Sequence, residues 1–228
     1  MNLQQLRIFV WEWLNDKAAT YLWADSELNA YINLAIKDAV IRSRCIIDST
    51  TDACCNLSVI AGTADYAINP LVLEIKRVFD ATNNRVLRKI SAEELDDFKN
   101  SWRGDVGNPT HYIDDLNHYG ADAGGGRKIR LYPNPIINLT VNMTVYRMPL
   151  ADLVSDADVP EIPEVSHEGI VYGAVARAYL KHDTDAENIT KANFFEQKFT
   201  EMFGEKPSAR QLEFRRKRRK IHVKGRFM

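Results

Sequence analysis

The chain has 228 residues, of which 45% are hydrophobic and 27% charged, ordinary values for a folded soluble protein and enough for one large domain or two small ones. Its net charge of -1 hides an uneven distribution: from Lys206 onward there are ten basic residues and one acid, Glu213, so this end carries +9 and leaves (-1) - (+9) = -10 for residues 1–205. No apolar run approaches the ~20 residues of a membrane span, and the opening MNLQQLRIFVWEWLND lacks the basic n-region and small-residue cleavage site of a signal peptide, so the expected setting is intracellular with no membrane partner.

In chain order, Leu3, Leu6, Val10, Trp13 and Leu14 recur at helical spacing and predict a helix over residues 3–16. A stronger helix follows Asp25 or Ser26, either of which is a suitable cap, and carries Leu28, Tyr31, Ile32, Ala35, Ile36, Ala39 and Val40 on one stripe. The three cysteines, Cys45, Cys54 and Cys55, have no zinc or CxxC spacing and are expected to be reduced and packed.

From about residue 53 the period changes to that of strands, expected at Leu57–Ile60, Leu73–Ala81, Arg85–Ile90, His111–Leu116, Lys128–Tyr132 and Ile137–Arg147. Asn83-Asn84 suits a hairpin turn, because asparagine tolerates a positive φ. Ser91 and Glu94 form a capping box ahead of a short helix with Leu95 and Phe98. In the last strand Leu139, Val141, Met143 and Val145 alternate with Thr140, Asn142, Thr144 and Tyr146, the pattern of a half-buried antiparallel strand. Helices return beyond Pro160 and Pro163, with one stripe of Ile170, Ala174, Val175, Ala178 and Tyr179 and another of Ile189, Ala192, Phe195, Phe199, Met202 and Phe203.

The order helices, strands, helices, tail predicts an α+β fold, since each amphipathic helix must bury its stripe. Residues 1–52 and 164–204 are expected to form the two halves of a helical bundle, residues 53–163 an inserted antiparallel β-rich domain, and residues 205–228 an extended basic carboxy-terminal arm.

Catalytic patterns are missing: there is neither GxSxG nor HExxH, and no enzyme activity or cofactor is expected. His111, Asp114, Asp115 and His118 come nearest to a metal site, but in strand register His111 shares a face with Asp115 while Asp114 shares the other with His118. A solvated strand is expected and no metal. Gly124-Gly125-Gly126-Arg127-Lys128 departs from a phosphate loop, because Arg127 separates the glycines from the lysine and Ile129 stands where Ser or Thr is needed. Trp11, Trp13, Trp23 and Trp102 are expected to serve packing within the subunit or between subunits.

Several motifs in order carry a resemblance: Trp23-Ala24-Asp25-Ser26-Glu27-Leu28 leading into Tyr31-Ile32-Asn33-Leu34-Ala35, then Asp65-Tyr66-Ala67-Ile68-Asn69-Pro70, Gly107-Asn108-Pro109-Thr110-His111-Tyr112, Ile129-Arg130-Leu131-Tyr132-Pro133-Asn134-Pro135, and Val145-Tyr146-Arg147-Met148-Pro149. Over roughly residues 23–180 the set resembles the head-to-tail adaptor (connector) proteins of short-tailed bacteriophages. The resemblance implies a structural virion protein whose copies form a homo-oligomeric ring, typically dodecameric, at the head–tail interface and assembled in the host cytoplasm. It further implies contact with the portal protein and with the tail nozzle or tail tube, passage of genomic DNA through the lumen, and a carboxy-terminal arm that reaches the portal.

The tail fits that implication. Arg215, Arg216, Lys217, Arg218, Arg219 and Lys220 suit carboxylates on a portal surface, while Phe214, Ile221, Val223 and Phe227 supply apolar contacts that a pure phosphate-binding run would not need. The competing expectation is a nucleic-acid-binding protein using the same tail, with binding that falls steeply with salt.

Overall fold

The computed structural model describes residues 1–15, 22–114, 127–181, 187–208 and 210–211. The chain is of mixed α and β structure and divides into two compact units, one built from Met1–Ile46 and Met148–Pro207, the other from Ile47–Arg147 with the described residues from Ser208 onward.

The first unit holds four long helices: α1 (Leu3–Leu14), α2 (Asp25–Ser43), α5 (His167–Ala178) and α6 (Ile189–Phe203). At the start of α1, the Asn2 side chain accepts from the Gln5 N–H and the Gln5 side chain accepts from the Asn2 N–H, which satisfies two otherwise orphaned donors. Asn15 ends the helix at φ 55°. Leu3, Leu6, Val10 and Leu14 are buried as their spacing predicts, whereas Trp13 is 46% exposed. In α2 the cap is Ala24, not Asp25 or Ser26, and Glu27 reaches back to accept from the Ala24 N–H at 3.1 Å. Asp25 and Glu27 then sit in the first turn, where negative charge suits the helix dipole.

Helix α5 is buried almost all round and packs against α1, α2 and α6, so it is the centre of this unit. Its glycines set the spacing. A Cβ at Gly173 would lie 2.7 Å from the Phe199 ring and 3.1 Å from Ala35, and one at Gly169 would lie 2.5 Å from Phe203, so the missing side chains let two aromatic residues of α6 lie directly on the α5 backbone. Asn188 caps α6 by accepting from the Lys191 N–H. Of the predicted α6 stripe, Ala192, Phe195, Phe199 and Phe203 are buried, while Ile189 and Met202 face solvent.

The second unit contains β1 (Ile47–Asp48), α3 (Asp52–Cys55), β2 (Asn56–Val59), β3 (Asp65–Ala67), β4 (Val72–Asp80), β5 (Arg85–Lys89), α4 (Ala92–Phe98), β6 (Val106–Gly107), β7 (His111–Ile113), β8 (Lys128–Tyr132), β9 (Asn134–Pro135) and β10 (Leu139–Arg147). Its main sheet runs β1-β10-β4-β5-β7-β8-β3, with β2 also on β10. Beside the same edge of β10, β2 covers Leu139–Asn142 and β1 covers Val145–Tyr146. Within this sheet the pairing is antiparallel except for β5 with β7, where α4 and a 3-10 turn at Trp102–Gly104 return the chain in the same direction, and β6 and β9 form a separate parallel pair. Asn84, at φ 51°, closes the β4–β5 hairpin, and Asn83 donates from its backbone and side-chain nitrogens to Asp80.

The predicted alternation of β10 holds: Leu139, Val141, Met143 and Val145 are buried beside Val78, Ile75, Leu87, Ile129, Leu131 and both Cys54 and Cys55. A smaller cluster of Leu95, Trp102 and Ile113 fixes α4 to the sheet. Burial pushes the Cys55 thiol up to about 11, with the Asp48 carboxylate adding to the shift. No helix among the described residues is long and apolar enough to cross a membrane.

Candidate functional site: the root of the basic arm

The tail residues singled out in the sequence, Phe214, Arg215, Arg216, Lys217, Arg218, Arg219, Lys220, Ile221, Val223 and Phe227, lie outside the described residues. What is described is the place from which the tail departs. There the first unit concentrates charge that its helices would otherwise exclude.

Asp38 and Arg42 lie one turn apart on α2 and form an ion pair at 2.9 Å. Arg177 of α5 donates to the same Asp38 Oδ2 at 2.9 Å and to the Gly173 carbonyl at 2.7 Å. Arg42 also donates to Glu196 Oε1 at 2.7 Å and to Thr200 Oγ1 at 3.0 Å on α6, and its guanidinium lies 4.7 Å from the centre of the Phe199 ring. Thus two acids, Asp38 and Glu196, and two arginines tie together three helices, and the chain leaves α6 beside them. Arg42 Nη1 lies 3.4 Å from the Gly204 carbonyl, and Lys206 Nζ sits 3.8 Å from Asp38 Oδ1.

The electrostatics follow from this geometry. Burial works to raise the Asp38 pKa, but the hydrogen bond and charge of Arg42, with Lys206 and Arg177, outweigh it and hold the carboxyl below the usual carboxylate range. Burial likewise works to lower the Arg42 pKa, and Asp38 with Glu196 raises it instead. Just beyond, the Ser208 and Gln211 side chains accept from each other's backbone N–H groups, the reciprocal pattern that starts a helix.

Arg127, Asp114, Trp23 and Trp102 are committed to structure. Arg127 donates to both oxygens of the buried Asp114, at 2.7 and 2.6 Å from Nη2, and to the carbonyls of Val72 and Leu73. Lys89 lies 3.5 Å from the same carboxylate. His111 accompanies the Tyr132 ring, while Asp115, His118 and Gly124-Gly125-Gly126 fall outside the described residues. Among the described residues no group of three possible ligands gathers for a metal ion. Trp23 donates to the Ala178 carbonyl at 3.2 Å, and Trp102 donates to Asp96 beneath Arg103. Trp13 stands edge-on to Tyr172 and Phe195.

Sequence reasoning passed over this charged root. Asp38 and Arg42 were visible as an i, i+4 pair, but nothing in the spacing shows that Arg177, Glu196 and Lys206, more than 130 residues further on, converge upon them.

No curated protein significantly matches the chain. The SU10 adaptor protein family model covers residues 1–221, and so extends into the basic run as far as Ile221. The chain therefore belongs to the SU10 adaptor protein family and is a structural connector of the phage head–tail type.

Proposed function

We propose that copies of this chain form a ring, dodecameric by resemblance to other head–tail adaptors, between the portal and the tail nozzle or tube. Residues 1–52 and 164–204 act as one helical bundle, residues 53–163 as the inserted β-rich platform for the tail, and residues 205–228 as an arm that docks on the portal. A ring joins one face of each subunit to a different face of the next, so modest contacts suffice once many of them act together. Genomic DNA passes through the lumen, and a body of about -10 charge repels phosphate and lets it slide. No catalytic step is required.

The observation that carries this reading is that the family match spans the folded units and continues into the basic run. The overlap as far as Ile221 supports reading the run together with the folded units, and its arginines and interleaved apolar residues suit a protein surface with carboxylates.

Co-sedimentation with portal rings of the same phage at physiological salt tests it. Full-length chain is expected to join the rings, and a chain ending after Pro207, which keeps the Lys206–Asp38 contact, is expected not to. The second reading, nucleic-acid binding by the arm, rests on the +9 charge carried from Lys206 onward. It is the answer if neither form joins while full-length chain retards DNA at low salt.

A further inference from the structure

Helix α6 carries an outward ridge that packing within the first unit leaves uncovered. Phe194 is 53% exposed, and the Lys198 ammonium lies 5.1 Å from the centre of its ring, one turn along the helix. Lys191 stands three residues before Phe194 and therefore on the same side. The acids beside this ridge are engaged: Glu168 accepts from the Tyr172 hydroxyl, and Glu201 accepts from the Gln197 amide. What α6 offers is an aromatic knob between two cations.

The same unit carries the complement. A cavity of about 250 Å³ opens between α2 and residues 149–161, with an apolar floor that includes Ile36, Leu153 and Val159. Its rim sets Asp152, Asp158 and Glu161 against one cation, Lys37, a balance of -3 + 1 = -2. The walls are preformed: Asn33 donates to the Leu153 carbonyl at 3.0 Å and accepts from the Leu153 N–H at 2.8 Å, Lys37 pairs with Asp152 at 2.7 Å, and Asp158 accepts from the N–H groups of Val154 and Ser155. A cavity of roughly 150 Å³ already holds a benzene molecule, so this one has room for a phenyl ring. Phe194 does not fill the cavity of its own chain. Glu196 turns toward α2, where it meets Arg42 at 2.7 Å, and Phe194, two positions earlier, lies about 160° around the helix from it. The knob therefore points away from the helix that walls the cavity.

We propose that the cavity receives Phe194 of a second copy of the chain, with Lys191 and Lys198 of that copy set against the acidic rim. The ring buries itself in an apolar floor while opposite charges meet around it, the arrangement of an interface with an aromatic centre and a polar border. Knob and cavity share no residue and belong to different faces, so the contact is head-to-tail and can pass from copy to copy until it closes. The proposal rests on the reading that copies stand side by side in a ring and names the surfaces through which they meet; it does not depend on the portal.

The test is a full-length chain with the photo-crosslinking residue benzoylphenylalanine replacing Phe194, mixed with isotopically labelled full-length chain. The mixture is irradiated on portal rings of the same phage and, in parallel, alone at millimolar concentration, and adducts between labelled and unlabelled copies are mapped by mass spectrometry. Adducts are expected on residues 33–37 or 149–161 of the labelled copy in at least one of the two settings. Val159→Lys in the labelled copy is expected to lower their yield about tenfold, since it puts a charge on the floor and cancels part of the rim. Val154→Ser, at an 81% exposed position of the same loop that does not line the cavity, is expected to leave the yield unchanged. Adducts confined to one chain, scattered over the labelled copy or absent in both settings overturn the proposal, as does a yield that Val159→Lys leaves unchanged. Co-sedimentation reads the ring on the portal separately: a chain that joins the portal rings but cross-links elsewhere keeps that reading and loses this interface, and a chain that stays off the rings but cross-links at the cavity in concentrated solution does the reverse.

Discussion

Arg147 Nε lies 2.5 Å from Asp48 Oδ2, and both residues are buried. One is the second residue of the segment Ile47–Arg147 and the other is its last, so this ion pair joins the two ends of the segment that carries the sheet. Asp48 also accepts from the backbone N–H groups of Thr50 and Thr51 and from both hydroxyls. Antiparallel pairing of β1 with β10 brings the two side chains together, so the arginine that ends the buried face of β10 meets a carboxylate there.

Asp48→Ala should cost about 3–5 kcal/mol, because it removes one carboxylate from the buried Arg147 guanidinium and four hydrogen-bond acceptor contacts from Thr50 and Thr51. Urea unfolding followed by tryptophan fluorescence measures it, and a loss below about 1 kcal/mol, the value of an exposed pair, would contradict the buried clamp.

Acid should weaken the β-rich unit through the same carboxyl. Burial works to raise the Asp48 pKa, but the hydrogen bonds from Thr51, Thr50 and Arg147 more than reverse this and hold it well below the usual carboxylate range. The unfolded chain then takes up a proton near pH ~4 while the folded chain does not, so the stabilisation is present above that pH and is lost as pH falls. Asp48→Asn is expected to flatten the slope of stability against pH below about 4; an unchanged slope would assign the acid sensitivity to other carboxyls.

Gly173→Ala should destabilise the helical unit although alanine is the better helix former. The propensity gain is about 0.5–1 kcal/mol, whereas forcing a methyl group into a filled site costs about 1–3 kcal/mol. Phe199 cannot give way freely, since it is fully buried beneath Arg42. A thermal melt that rises in the variant would show that α5 and α6 separate more easily than their contact suggests.

At the root of the arm, Lys206→Ala and Asp38→Ala should behave differently. The Lys206 side chain is 67% exposed and its contact is long, so its removal is expected to change stability by less than about 0.5 kcal/mol. Asp38→Ala removes the carboxylate that Arg42 and Arg177 share, leaving Glu196 beside Arg42, and is expected to cost about 2–4 kcal/mol. Equal effects in a chemical denaturation series would mean that Asp38 does not organise the network.

Alkylation should distinguish the cysteines. Cys45 is half-buried, whereas Cys55 is fully buried and its thiol is pushed up to about 11. Iodoacetamide at pH ~8 is expected to label Cys45 first and Cys55 only on unfolding, as peptide mapping would report; early labelling of Cys55 would mean that α3 opens readily.

Much of this protein is local, and the local part was readable in the sequence. The stripes of α2 and α5, the alternation along β10, the Ser91–Glu94 capping box and the asparagine hairpin depend on residues within a few positions of one another, where period and turn chemistry act directly. Strands such as β1, β3, β6 and β9 are too short to show a period, and each exists because a distant strand offers its edge: Asp65–Ala67 because of Lys128–Arg130, Ile47–Asp48 because of Val145–Tyr146. Trp13 and Met202 have the spacing of core residues yet face solvent, since the spacing tells which side of a helix is apolar but not how far its neighbours cover it. The same limit applies to charge. Composition announced an acidic body and a basic tail, but the convergence of Asp38, Arg42, Arg177, Glu196 and Lys206, the Asp48–Arg147 clamp and the acid-rimmed cavity were decided by tertiary structure alone, because ion pairs and cavities form between residues that the fold, and not the chain order, makes neighbours.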